Sequence, residues 1–447
     1  MFNSEQLSRY IVPISSFATT TAATAVPTRS EEKEQNELSN RVALGIYTKS
    51  HATLENTRLV QYALQSRARE LLPKERVSTC LRCRVTKEKP VSVKYNKSRK
   101  KAHYDNVQRC GWVWGCPVCA SKITEKRKVE VKKAMDSHQS NGGGCYMLTL
   151  TIPHYMGDNL KLLLSGLSVA MKHFFNGTRK SKAIWADMGK IGHIRALEVT
   201  YGSNGWHPHF HVMIFTKEPL KSGYNLTPLI ELWQNACRLA KLPIPSFEHG
   251  LDWKKGNYSE YVTKWGMESE ITKGHVKQGR LGSLTAWDML RASMFQLDPK
   301  AEKMGKLFQE FAISFRKQRQ LVWSRGLKEM FGINDQTDEQ LADETDKQAH
   351  DVMPLYDMVW SLICRYHRRA DLLHCVEYDQ QKGTNTAHDL IMMLAEFEAD
   401  KMRIASKNKI VKSGAGACVV YRPPPTPAPL WYDEKTPDLD LPDWVVA

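Results

Sequence analysis

Apolar residues along the chain follow two different periods. Alternation of apolar and polar positions, the two-residue period of a half-buried strand, marks CYMLTLTIPH (145–154), IRALEVT (194–200) and HPHFHVMIF (207–215). The Gly, Ser and Asn of YGSNGW between the last two favour a tight reversal, so they form a hairpin. A helical period predicts helices over Glu55–Leu72, ending before Pro73, and over SKITEKRKVEVKKAMDSHQS (121–140), closed by the glycines Gly142 to Gly144. Further helices are expected over LKLLLSGLSVAMKHFFNGT (160–178), LTPLIELWQNACRLA (226–240) and, shorter, GNYSEYVTKW (256–265). The chain after about residue 331 reads as helical through 400, and YRPPPTPAPLWYDEKTPDLDLPDWVVA (421–447) as an extended Pro-rich tail. Strands and helices mixed without a βαβ repeat predict an α+β fold, a central antiparallel sheet flanked by helices.

The same pattern divides the chain. Residues 1–75 are expected to be a mobile N-terminus and a helix, 76–140 a Cys-rich zinc-binding module with a basic helix, and 141–330 the sheet domain. A helical acidic region (331–420) and the tail (421–447) follow. At 447 residues, 42% hydrophobic, the chain can bury a sizeable core. Its apolar runs fall short of the roughly 18 residues that span a bilayer, and its N-terminal stretch lacks the basic start and apolar core of a secretory signal. A cytoplasmic protein with no membrane partner is therefore expected.

Charge sharpens the picture. The formal net charge is +16, but residues 331–447 hold 12 Lys and Arg against 20 Asp and Glu, so the body before them carries +24. A basic body of this size favours a polyanion, and nucleic acid is the commonest one. Lys122, Lys126, Arg127, Lys128, Lys132 and Lys133 on the helix after the cysteines are the candidate DNA contacts.

Three histidines in five positions sit oddly in an apolar strand. Side chains alternate faces, so His209 and His211 project together, with His207 sharing their parity. If the hairpin closes with Thr200 opposite His207, Glu198 lies opposite His209, about 5 Å away between Cβ atoms. Glu198, His209 and His211 would then form a three-ligand site with open positions, which a one-residue register slip would destroy. In GNYSEYVTKW, Tyr258, Tyr261 and Lys264 form a stripe on one helix face. A tyrosyl oxygen beside a Lewis acid and a cation can attack a phosphodiester.

Cys80-x-x-Cys83 and Cys116-Pro-Val-Cys119 supply four soft ligands, the set that tetrahedral structural Zn²⁺ requires. Cys110 stands as a substitute. Cys145, Cys237, Cys364, Cys375 and Cys418 are isolated and read as packing residues.

Taken in order, CYMLTLTIPH, LEVTYGSNGWHPHFHVMIF and YSEYVTKW resemble the HUH endonuclease superfamily, and within it the rolling-circle replication initiators of bacterial plasmids. Tyr261-Val262-Thr263-Lys264 fits the Y-x-x-K motif, and His209 and His211 fit the paired metal-binding histidines. MLTLTIPH resembles the first motif, with Thr149 and Thr151 supporting the sheet and the DNA. RCGWVWGCPVCASKI and WSRGLK (323–328) resemble further stretches of these initiators, so the resemblance covers roughly residues 76–330.

It implies an HUH core over 141–330 and a nickase that acts at the double-strand origin, on DNA exposed as single strand. Tyr261 would be the nucleophile, Lys264 its electrostatic helper, and Glu198 the third ligand to Mg²⁺ or Mn²⁺. A 5′-phosphotyrosine and a 3′-OH primer would form, and the strand would later be rejoined. Where some members carry a Glu four residues before the nucleophile, this chain has Asn257, which leaves Glu260 or Tyr258 for termination. Host helicase and DNA polymerase are the implied partners, with a homodimer among the assemblies allowed. The alternatives are an HUH transposase, which paired tyrosines would suit, and a non-catalytic zinc-dependent DNA-binding protein.

Overall fold

A computed structural model describes residues 51–255, 283–294, 298–343 and 348–413. The first helix, α1 (His51–Leu71), leads into a cysteine-bearing turn region. The strands β1 (Val91–Asn96) and β2 (Lys101–Asp105) follow, and then the long helix α2 (Pro117–Ser140). Pro117 opens α2 at a position where its missing N–H costs nothing.

Next come β3 (Gly144–Leu150), α3 (Leu160–Asn176), α4 (Arg179–Asp187), β4 (Lys190–Gly202), β5 (Gly205–Thr216), α5 (Thr227–Leu239) and β6 (Leu251–Lys255). Asn159 caps α3 by accepting the Leu162 N–H, and Thr178 with Ser181 closes a capping box on α4. The chain continues through α6 (Ala286–Ala292), α7 (Lys300–Ser314), β7 (Leu321–Trp323), α8 (Leu327–Met330) and α9 (Asp338–Asp343). It ends in β8 (His350–Leu355), α10 (Asp357–Arg365), α11 (Arg369–Lys382) and α12 (Thr386–Ser413).

Five strands form an antiparallel sheet in the order β6-β3-β5-β4-β7. The expected α+β class and the flanking helices are present. Strand alternation gives the sheet two different faces. Tyr146, Leu148, Leu150, Leu197, Val199, Phe210, Val212 and Ile214 face the buried side chains of α3 and α5, among them Leu163, Leu167, Phe174 and Trp233. Each fully buried apolar side chain on this face contributes about 1.5–3 kcal/mol. On the other face Cys145, Met147, Ile194, Met213 and Phe215 pack against Val131, Ala134 and Met135 of α2, with Leu327 and Phe331. Glu198, His207, His209 and His211 share the parity of this second face. WSRGLK lies on the same sheet: Trp323 ends β7 opposite Ile194, and the Ser324 hydroxyl accepts the His193 N–H at 2.9 Å.

A second sheet, β2-β1-β8, is antiparallel throughout and departs from the expectation of helix across 331–400. His350–Leu355 is short, with Asp351 and Pro354 in it, and becomes a strand by pairing with β1 (Val93 opposite Met353). Tertiary pairing overrides its weak local preference. Helix α11 seats on the same sheet. Glu377 accepts from the Ala102 N–H at 2.7 Å and pairs with Arg58 at 2.7 Å, while the Tyr104 hydroxyl donates to the Arg369 carbonyl at 2.7 Å. Among the described residues no helix is long and apolar enough to cross a membrane.

Candidate metal centres

The β4–β5 hairpin closes through Ser203 and Asn204, with Gly202 opposite Gly205, Thr200 opposite His207 and Glu198 opposite His209. This is the register the sequence required. Gly205 has φ +84°, and a Cβ there would stand 3.0 Å from the Tyr155 carbonyl, so both conformation and space demand glycine.

The ligand atoms converge. Glu198 Oε2 lies 3.0 Å from His211 Nε2 and 3.4 Å from His209 Nε2, and the three donor atoms are within 4.8 Å of one another. Bonds of about 2.1 Å at right angles would place donors about 3.0 Å apart, so the group fits a small divalent ion with open positions. Burial would push the Glu198 carboxyl up, but hydrogen bonds from His209 and His211 and their charge outweigh it and hold it well below the usual carboxylate range.

A further layer of contacts orients the imidazoles. Thr149, opposite His211 on β3, sets its hydroxyl 3.1 Å from His211 Nδ1, and His209 Nδ1 faces the His207 carbonyl at 3.4 Å. With Nδ1 engaged, Nε2 is left as the ligand atom. His207 stacks on His154 at 4.5 Å between ring centroids, and burial, then His209 and His154, lower its pKa to about 4. Thr151 donates to the His249 carbonyl and so braces the end of β3.

Strand β6 lies beside β3, Asp252 opposite Thr149, and the Y-x-x-K motif follows it in the chain. Tyr258, Glu260, Tyr261 and Lys264 lie outside the described residues.

The second centre differs from the sequence expectation in one ligand. Cys80, Cys110, Cys116 and Cys119 are all buried and mutually within reach, whereas Cys83 is exposed. Leu81 adopts φ +53°, and the Cys83 backbone pairs with Thr79 and Gln108, which turns its thiol outward. Cys110 takes its place, its own N–H donating to Cys80 Sγ at 3.4 Å. The sulfurs of Cys80 and Cys116 are 3.8 Å apart, those of Cys80 and Cys119 3.5 Å, and those of Cys110 and Cys119 3.7 Å. A tetrahedral zinc with bonds of about 2.3 Å separates its sulfurs by about 3.8 Å, so this set fits.

Beneath the sulfurs lie residues no local sequence signal marks. The Gln65 amide donates to Cys80 Sγ at 3.4 Å and Cys116 Sγ at 3.2 Å, and its carbonyl accepts from Arg69 at 2.7 Å and Arg369 at 3.1 Å. Burial, then the charge of Arg369, lowers the Arg69 pKa to about 9.

On α2 the candidate DNA contacts largely have partners within the chain. Lys122 donates to the Ala342 carbonyl, Arg127 to Glu130, Asp338 and the Gln336 carbonyl, and Lys133 to the Gly332 carbonyl. Lys132 pairs with Asp136 one turn on. Lys126 and Lys128 are half-buried, and burial, then nearby Arg99, lowers the Lys126 pKa.

An antiparallel sheet bearing a Glu/His/His group, joined by one helix to a four-cysteine cluster, defines an α+β protein with two candidate metal centres. Residues 102–366 match the replication protein family, and the chain belongs to that family. It is similar to Protein rep of Streptomyces lividans, 26% identical over 304 residues, which cover 51% of this chain and 64% of the relative. It is also similar to the Neomycin resistance protein of Streptomyces cyanogenus, 32% identical over 130 residues, 24% of this chain and 30% of that one. The chain thus spans less than two thirds of the length of either relative. No solved structure matches it.

Proposed function

We propose that this protein is a plasmid rolling-circle replication initiator of the HUH type, which nicks one strand at the double-strand origin and later rejoins it. The observation that carries the reading is the register-locked group Glu198, His209 and His211, half-buried on one sheet face. Family membership favours an initiator over a transposase.

Glu198, His209 and His211 would hold Mg²⁺ or Mn²⁺, which supplies Lewis-acid stabilisation of charge on a phosphate oxygen. Imidazole ligands tolerate Mn²⁺ better on softness grounds. Thr149 fixes the His211 ring so that its Nε2 faces the ligand group. Tyr261, from the Y-x-x-K motif, attacks the scissile phosphorus. The tyrosyl O–P bond forms, the P–O3′ bond breaks, and the hydroxyl proton passes to the leaving 3′ oxygen through solvent. Lys264 supplies positive charge, and Glu260 or Tyr258 serves termination. Cys80, Cys110, Cys116 and Cys119 would hold a structural Zn²⁺ that builds the module ahead of the sheet. Origin DNA, host helicase and polymerase are the partners this activity requires.

The test is incubation of the purified protein with supercoiled plasmid carrying its origin, with Mg²⁺ or Mn²⁺ and with chelator. The expected result is a nick with a 5′ adduct that maps to Tyr261 and vanishes on chelation, while Tyr261→Phe binds origin DNA without cutting it. Origin binding with neither nick nor adduct under either metal would overturn the proposal in favour of a zinc-dependent DNA-binding protein.

A further inference from the structure

Two buried guanidiniums lie against the cysteine cluster with no acidic partner among the described residues. Arg69 is 8% exposed and Arg369 2%. Arg69 donates to the Gln65 side chain and to the carbonyls of Val77 and Cys80, and Arg369 donates to the Gln65 side chain and the Leu81 carbonyl. Gln65 fixes the direction of the network: its carbonyl oxygen accepts from both guanidiniums, and its amide hydrogens point at the Cys80 and Cys116 sulfurs.

Burying one charge without a counterion is strongly unfavourable, and burying two like charges side by side is worse. Four thiolates around a divalent ion carry a net charge of −2, equal and opposite to the two arginines. Four protonated thiols, or a pair of disulfides, would carry no charge and leave both cations unbalanced. We propose that Arg69 and Arg369 are the built-in countercharge of a four-thiolate metal centre at Cys80, Cys110, Cys116 and Cys119, and that the metal thereby fastens the C-terminal helices to the cysteine module. This rests on the reading that those cysteines hold a metal.

Arg369 opens α11, more than 240 residues beyond the last cysteine ligand in sequence. Its carbonyl takes the Tyr104 hydroxyl, and Trp360 of α10 donates its indole N–H to the Arg82 carbonyl at 2.7 Å, between the cysteines. The acidic C-terminal region therefore delivers one of two positive charges to the metal centre. Loss of the divalent ion removes the fixed −2 charge that offsets Arg69 and Arg369, and the favoured relief is to undock α11.

The experiment uses the full chain. Zinc content of the purified protein is measured first, and zinc affinity is then read by competition with a chromophoric chelator for wild type, Arg369→Met, Arg69→Met and Arg369→Lys. Alongside, limited proteolysis of wild type, zinc-loaded and zinc-free, maps cleavage in residues 357–413. The expected result is one tightly held zinc, affinity tenfold or more weaker in each Met variant and partly restored in Arg369→Lys, and new cleavage in 357–413 once zinc is removed. Met variants that hold zinc as tightly as wild type would overturn the countercharge. Unchanged cleavage of zinc-free wild type would overturn the fastening, with no variant needed to fold. A wild type that holds no zinc would overturn the metal reading itself, a different result from either.

Discussion

The Thr149 hydroxyl touches no candidate ligand atom directly, yet it should control metal affinity. It stands 3.1 Å from His211 Nδ1, the ring nitrogen opposite the one aimed at Glu198. Thr149→Val keeps the branched shape and the strand preference and removes only that hydrogen bond. Loss of such an outer contact typically weakens metal binding ten- to a hundredfold, about 1.4–2.7 kcal/mol. The cost to folding is smaller, about 0.5–1.5 kcal/mol for one half-buried hydrogen bond. Calorimetric titration with Mn²⁺ should show the weaker binding while the melting temperature moves by only a few degrees. Nicking of an origin oligonucleotide should need ten- to a hundredfold more Mn²⁺ for half-maximal rate and recover near the wild-type rate at saturation. An unchanged Mn²⁺ titration, or a deficit that saturating metal does not rescue, would refute the reasoning.

Glu198→Gln should abolish Mn²⁺ binding detectable by calorimetry while leaving the circular dichroism spectrum intact; retained stoichiometric binding would remove Glu198 from the ligand set. Gly205→Ala, forced to φ +84° against the Tyr155 carbonyl, should cost about 1–3 kcal/mol in denaturant unfolding, and a silent substitution would show that the turn relaxes. Phe174→Ala should cost about 3–5 kcal/mol, because the ring is fully buried among Phe175, Trp185 and Trp233. His193, stacked on Phe175, has its pKa lowered from 6.5 to about 3 by burial and then by Lys190 and Arg195. A base depressed in the folded state costs nothing above its unfolded pKa and destabilises as pH falls below it, by about 2 kcal/mol at pH 5. His193→Phe should flatten stability between pH 6.5 and pH 5, and an identical slope in the variant would assign that loss to other groups.

The histidine hairpin was legible because its information is local. A two-residue connection fixes the pairing, period-two alternation fixes the face, and Glu198 follows from both. The cysteine set was legible except for one member. The C-x-x-C spacing places Cys80 correctly, but spacing does not record that Leu81 turns left-handed and sends Cys83 outward. The β1–β2–β8 sheet escaped because its strands are short, and β8 owes its conformation to a partner about 260 residues away. Gln65, Arg69 and Arg369 escaped for a stronger reason: Gln65 and Arg69 stand one turn apart on α1, but no period ties that pair to Arg369 or to the cysteines, and only the folded chain brings them under the sulfurs.

Helix α2 carries two of the cysteines at its start and covers the sheet with Val131, Ala134 and Met135 further on. Its 24 residues span about 36 Å as a single rod. One residue added or removed between Ala120 and Val131 would turn everything beyond it by about 100° and shift it by about 1.5 Å, breaking its fit at one end or the other. Changes of chain length among descendants of this protein should therefore collect in loops away from both centres, while α2 drifts in sequence and keeps its count of residues.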